Sequence, residues 1–99
     1  MSVKAVYVIS IAAELTGVHP QTLWSWERAH LVVPQRSGGG ARRYSEEDIA
    51  TALKVRQLLA QGISLPGVRK VLALEAELAA ARREVEQLRA RLARASSTR

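Results

Sequence analysis

No cysteine and no phenylalanine occur in the 99 residues. The first absence excludes disulfides, thiolate zinc sites, iron–sulfur clusters and thiol redox sensing. The second leaves four aromatic residues, Tyr7, Trp24, Trp26 and Tyr44. A core must then be assembled from Leu, Val, Ile and Ala, which suits helices better than a β-sandwich. No stretch reaches about 18 apolar residues, so a transmembrane helix is excluded. Met1-Ser2-Val3-Lys4 lacks the apolar run and small-residue cleavage site of a signal peptide, and a cytoplasmic protein with no membrane partner is expected. No Ser/His/Asp constellation stands out, and His19 and His30 have no acidic cluster around them. Gly38-Gly39-Gly40 lacks the Lys-Ser/Thr and the helix that complete a Walker loop. Neither an enzyme, a metal site nor a cofactor is expected.

Positive charge is plentiful. Fifteen Lys and Arg stand against nine Asp and Glu, a net charge of +6, which points to a polyanionic partner. The surplus is spread: residues 1–74 hold nine basic and five acidic residues, and 75–99 hold six and four. From Arg28 to Arg43 there are four arginines and no acid.

Glycine and proline punctuate the chain. Ser10 is placed to cap a short helix over about 11–16, with Gly17 ending it. Pro20 suits the first position of a second helix, running to about Ala29. Two short helices joined by a tight Gly-containing turn form the helix-turn-helix pattern. Val6-Tyr7-Val8-Ile9 and the residues around Val32-Val33 have strand composition. Gln35 to Tyr44 reads as a small β-wing turning at Gly38–Gly40, or as a linker. Ser45-Glu46-Glu47-Asp48 opens a third helix with a capping box, running to Ala60 or Gln61 before Gly62. Its shared face is expected to hold Ile49, Ala52, Leu53, the Arg56 stem, Leu59 and Ala60. Ser64 caps a fourth helix, with Pro66 in its first turn.

From Val71 the apolar period changes to alternating steps of three and four: Val71, Leu74, Leu78, Ala81, Val85, Leu88, Leu92 and Ala95. This is a heptad register, flanked by Glu75, Glu77, Arg82, Glu84, Arg89 and Arg91. One such helix cannot bury its stripe alone, and no partner helix remains in the chain. A homodimer through Leu74, Leu78, Ala81, Val85, Leu88 and Leu92 is expected, with a solvated single helix as the alternative. The expected fold is mainly α: a winged helix-turn-helix domain with a small β-wing over 1–74, then a C-terminal coiled-coil dimerisation helix over 75–99 whose polar end, Ser96-Ser97-Thr98, frays.

These pieces resemble the MerR family of winged helix-turn-helix regulators over about 7–75. The resemblance rests on Ile9-Ser10-Ile11-Ala12-Ala13-Glu14-Leu15-Thr16-Gly17-Val18, Thr22-Leu23, Trp26-Glu27-Arg28, Leu31-Val32, Arg43-Tyr44-Ser45 and Asp48-Ile49. Within the family, Val6-Tyr7-Val8-Ile9-Ser10, His19-Pro20-Gln21-Thr22-Leu23 and the triple glycine before Arg42-Arg43-Tyr44-Ser45 look like the heat-shock repressor subgroup HspR. The resemblance implies a dimer on a palindromic operator in double-stranded DNA, repression of chaperone operons and the DnaK chaperone as corepressor. The sequence departs from the pattern at Trp24, where arginine is common, and at His30, where glycine is common. It also ends in Arg94-Ala95-Ser96-Ser97-Thr98-Arg99 rather than the apolar tail of some HspR relatives. No effector domain is expected after the coil, so the drug- and metal-sensing relatives are poor models. An architectural or excisionase-like DNA-binding protein, a MerR-like activator without an effector domain, and a protein-interaction module built on the coil remain the alternatives.

Contact residues follow from chemistry and position. Gln21, Thr22 and Ser25 lie on the N-terminal half of the second helix, where Gln can read adenine and Ser or Thr can meet a base edge or phosphate. His19 suits a phosphate contact or an N-cap. Trp24 and Trp26 are two apart and cannot share a helix face; Trp24 reads as surface-facing, or as packed against the wing. Arg36, Arg42 and Arg43 straddle the glycine turn and can reach phosphates or the minor groove, unless Arg43 pairs with Glu27. The resemblance implies phosphate roles for Trp26, Arg28, Arg42 and Arg43 and a wing role for Tyr44. Leu23 should face the core. His30 should take a positive φ at the end of the second helix, since histidine is enriched there among non-glycine residues.

Overall fold

The structure, a computed structural model, describes residues 6–36 and 42–97, without the side chains of 35 and 36. The elements run β1 (Val6–Tyr7), α1 (Ile9–Thr16), α2 (Pro20–Arg28), β2 (Gln35–Arg36), β3 (Arg42–Ser45), α3 (Glu46–Ala60) and α4 (Leu65–Ser97). The expected glycine turn at 38–40 lies outside the described residues. The chain divides into two compact units, Met1–Val68 and Arg69–Arg99.

In the first unit the three helix ends are closed by backbone rules. Gly17, at φ 71, donates its N–H to Ala13 O at 2.9 Å and turns the chain out of α1. Thr16 is only 1% exposed, yet its hydroxyl is satisfied: it donates to Ala12 O at 2.8 Å and accepts from the Val18 N–H at 3.2 Å. After α2, His30 donates to Glu27 O at 3.0 Å and Leu31 to Trp26 O at 2.9 Å, a Schellman ending. His30 sits at φ 60, as expected from its position. After α3, Gly62 at φ 88 and Ile63 repeat the pattern onto Leu59 O and Leu58 O.

Helix starts are more varied. α1 begins at Ile9 after Val8, with no side-chain cap; Ser10, expected as its cap, lies inside the first turn. The strand residues Val6–Tyr7 lead so directly into the helix that it starts one residue before Ser10, two earlier than expected. The α3 capping box forms as expected: the Asp48 N–H donates to Ser45 Oγ at 3.0 Å, and the Ser45 N–H donates to Asp48 Oδ2 at 2.9 Å. At α4 the Gly67 N–H donates to Ser64 Oγ at 3.3 Å.

The sheet has three short antiparallel strands in the order β1-β3-β2, with Tyr7 opposite Tyr44 and Gln35 opposite Arg43. The residues around Val32-Val33, expected as strand, lie instead in the connection from α2 to β2, with Val32 buried and Val33 exposed. The core of this unit is Ala12, Val18, Leu23, Trp26, Leu31, Val32, Tyr44, Ala52, Val55 and Val68. On α3 the buried face is carried by Ala52 and Val55, while Leu53, expected inward, is 41% exposed. The inward face is thus rotated from Leu53 towards Val55; counting apolar residues does not fix that phase when Ile49, Leu53, Val55 and Leu58 are all candidates.

In the second unit α4 continues as helix through Ser97, beyond the point where fraying was expected, and Ser97 Oγ donates to Arg94 O at 3.1 Å. Its Ala, Leu, Glu and Arg content has high helix propensity. Leu74, Leu78, Val85, Leu88 and Leu92 are 45% to 69% exposed within the single chain. No helix among the described residues is long and apolar enough to cross a membrane.

Candidate nucleic-acid interface

The second helix of the helix-turn-helix divides cleanly by face. Leu23 and Trp26, three apart, are 0% and 5% exposed and anchor α2 on the core. Gln21, Thr22, Ser25 and Arg28 all lie exposed. Their spacing puts Gln21, Ser25 and Arg28 on the opposite face with Thr22 at its edge, a strip of hydrogen-bonding groups ending in one cation. His19 starts the helix: its Nδ1 accepts the Gln21 N–H at 3.1 Å, and Pro20 takes the first helical position, where a missing N–H costs nothing. Of the two roles open to His19, the N-cap is therefore occupied, and its side chain stays on the surface beside the polar strip.

The wing strand β3 is read through alternation. Tyr44 points into the core and is 1% exposed, the largest fully buried side chain. Successive strand residues face opposite ways, so Arg42 shares the Tyr44 side, towards α2, and Arg43 takes the other. The ion pair follows: Arg42 Nε, not Arg43, binds Glu27 Oε1. This corrects the expected Arg43–Glu27 pairing. The alternation around Tyr44 was the signal that could have found it.

Trp24 is also placed differently from its surface-facing expectation. It is half-buried, with the Arg42 guanidinium carbon 5.5 Å from its ring centroid. The indole therefore packs with the wing strand, the second of the two placements open to it. Trp26, given a phosphate role by resemblance, and Tyr44, given a wing role, are both buried side chains of the core. The Arg36 side chain lies outside the described residues.

One contact had no signal in the sequence, although the Arg56 stem was expected on the shared face of α3. Arg56 Nη1 on α3 donates to Thr16 O at 3.0 Å, tying α3 to the end of α1. On β1, the Tyr7 hydroxyl donates to Glu46 Oε1 at 3.2 Å. Desolvation, with the Glu46 charge and hydrogen bond, holds the phenol above its ordinary ionisation range.

A helix-turn-helix with a polar outer strip, beside a short antiparallel wing carrying arginines, defines a winged helix-turn-helix protein. The comparisons with known proteins narrow that class. The model of the MerR helix-turn-helix regulatory proteins matches residues 7–75. The chain belongs to the MerR family. It is 44% identical over 88 residues to a putative heat shock protein HspR of Streptomyces coelicolor, covering 88% of this chain and 58% of the relative. It is 35% identical over 79 residues to the transcriptional repressor CarH of Myxococcus xanthus, covering 74% of this chain and 26% of CarH. The chain thus spans little more than half of the first relative and about a quarter of the second. Among solved structures, HiNmlR, a MerR family regulator lacking the sensor domain and bound to promoter DNA, superposes with a TM-score of 0.67 at 20% identity, covering 93% of this chain and 76% of HiNmlR. A MerR family regulator from Bacillus cereus gives the same TM-score at 21% identity, covering 93% and 73%.

Proposed function

We propose that the chain is a dimeric, sequence-specific DNA-binding transcriptional regulator that represses chaperone and heat-shock genes, in the manner its likeness to HspR implies. The observation that carries this reading is the 44% identity to HspR across most of the chain. The geometry supports the DNA-binding part. The α2 strip of Gln21, Thr22, Ser25 and Arg28 enters the major groove, and the wing, led by Arg43, meets the flanking backbone. The exposed stripe from Leu74 to Leu92, with Ala81 between, pairs with that of a second copy and sets the spacing of two such domains along a palindromic operator. The DnaK chaperone acts as corepressor in this reading.

Fluorescence anisotropy with the protein's own upstream region, against scrambled DNA and across salt, tests it. Specific affinity should fall steeply with salt as counterions are released. Equal affinity for scrambled DNA overturns operator recognition. Added DnaK should tighten binding; no change removes the chaperone from the proposal. Selection from a random DNA pool then gives the half-site, its symmetry and its spacing.

A further inference from the structure

Arg42 makes two contacts to one helix. Its Nε is bonded to the Glu27 carboxylate, and its guanidinium lies over the Trp24 ring at 5.5 Å. Trp24 and Glu27 are three apart on α2, so a single face of that helix presents both to the wing strand. The site is partly withdrawn from water: the Arg42 side chain is 30% exposed and that of Glu27 is 16% exposed. The Trp24 indole N–H is buried without a hydrogen-bond partner among the described residues. The ring is therefore held by packing and by the cation above it.

A phosphate ligand needs a guanidinium with its charge and its fork available. At Arg42 a carboxylate already balances the charge and a ring occupies one face. Moving it to a phosphate would strip the half-buried Glu27 of this partner and uncover the indole, both unfavourable. Arg43, on the opposite side of β3, carries neither constraint.

We propose that Arg42 is a positioning residue and not a phosphate contact. With Glu27 and Trp24 it latches β3 to α2 and fixes the distance and angle at which wing and recognition helix meet a duplex. The inference rests on the DNA-binding reading above and deepens it. Trp24, standing where relatives commonly carry arginine, is the platform of this latch. Because the two reading elements then move as one body, a duplex whose groove and backbone do not match both is rejected, and the latch contributes to the ratio of operator to scrambled binding.

The test uses the full chain, with Arg42→Gln, Glu27→Gln, the double variant and Arg43→Gln, each checked by a thermal melt. Arg42→Gln should lower operator affinity roughly fivefold while keeping the wild-type slope of log affinity against log salt. The losses from Arg42→Gln and Glu27→Gln should be non-additive. Arg43→Gln should shallow the slope by about 0.9 for each phosphate contact removed. An Arg42→Gln slope as shallow as that of Arg43→Gln, or additive losses, overturns the latch. Should Arg42→Gln not fold, Arg42→Lys decides: it keeps the charge but loses the planar fork, so recovery of wild-type affinity overturns the proposal. A readout without DNA separates this from the function itself. Arg42→Gln (or Arg42→Lys) should red-shift tryptophan emission of the free protein, and Trp24→Phe should abolish that shift; no shift overturns the latch. A wild type with no preference for its operator defeats the DNA-binding reading, and the emission experiment still judges the latch.

Discussion

Arg56 reaches across 40 positions of sequence to donate to the Thr16 carbonyl, and its Nη1 lies where a Cβ on Gly17 would come within 3.1 Å. The carbonyls that α1 leaves unpaired at its C-terminus thus receive a cation from a different helix, which favours the helix dipole as well as the hydrogen bond. Arg56→Ala should cost about 1 kcal/mol, and Gly17→Ala about 1 kcal/mol or more because its φ is positive. Chemical denaturation of both single variants and the double should show non-additive losses, since one substitution disturbs the partner of the other.

His30 holds a left-handed backbone at φ 60 where glycine has no steric cost. His30→Gly should stabilise the fold by roughly 0.5–1 kcal/mol, and His30→Ala should destabilise it relative to His30→Gly by about 1 kcal/mol. Both are read from denaturant midpoints at constant slope.

Ser45 terminates the wing and caps α3 at once, since its hydroxyl accepts the Asp48 N–H and its own N–H is taken by Asp48. Ser45→Ala should cost about 1 kcal/mol. The melt should recover part of that loss in Ser45→Asp, whose carboxylate can accept the same N–H.

Leu88 is 53% exposed in the single chain and sits mid-stripe on α4. Leu88→Arg should convert a dimer to a monomer in analytical ultracentrifugation and leave the melt of residues 6–68 nearly unchanged. A persisting dimer would remove the heptad stripe as the interface.

What could be read from the sequence, and what could not, follows the range of the forces involved. Helix ends are local, and Gly17, His30, Ser45-x-x-Asp48 and Gly62 announce them without tertiary information. The polar strip Gln21, Thr22, Ser25, Arg28 was legible because its residues fall at a different phase of the 3.6-residue period from Leu23 and Trp26. The phase of α3 was not, because several apolar residues compete and only the packing against α1 and β3 chooses between Val55 and Leu53. The partner of Glu27 was misassigned for a related reason. Two adjacent arginines are chemically identical, and only the pleat, fixed by burying Tyr44, decides which faces α2. The Arg56 stem was expected on the shared face of α3, but its partner was invisible, since the target is a backbone carbonyl that any sequence would supply.

The long helix carries a consequence of a different kind. Its apolar edge, half wet from Leu74 to Leu92, draws cohesion from whatever covers it, so dilution alone acts on this segment as a denaturant does on a core. In the dimer proposed above, abundance becomes a structural variable: the number of copies sets how much of the helix is covered before any signal molecule is bound.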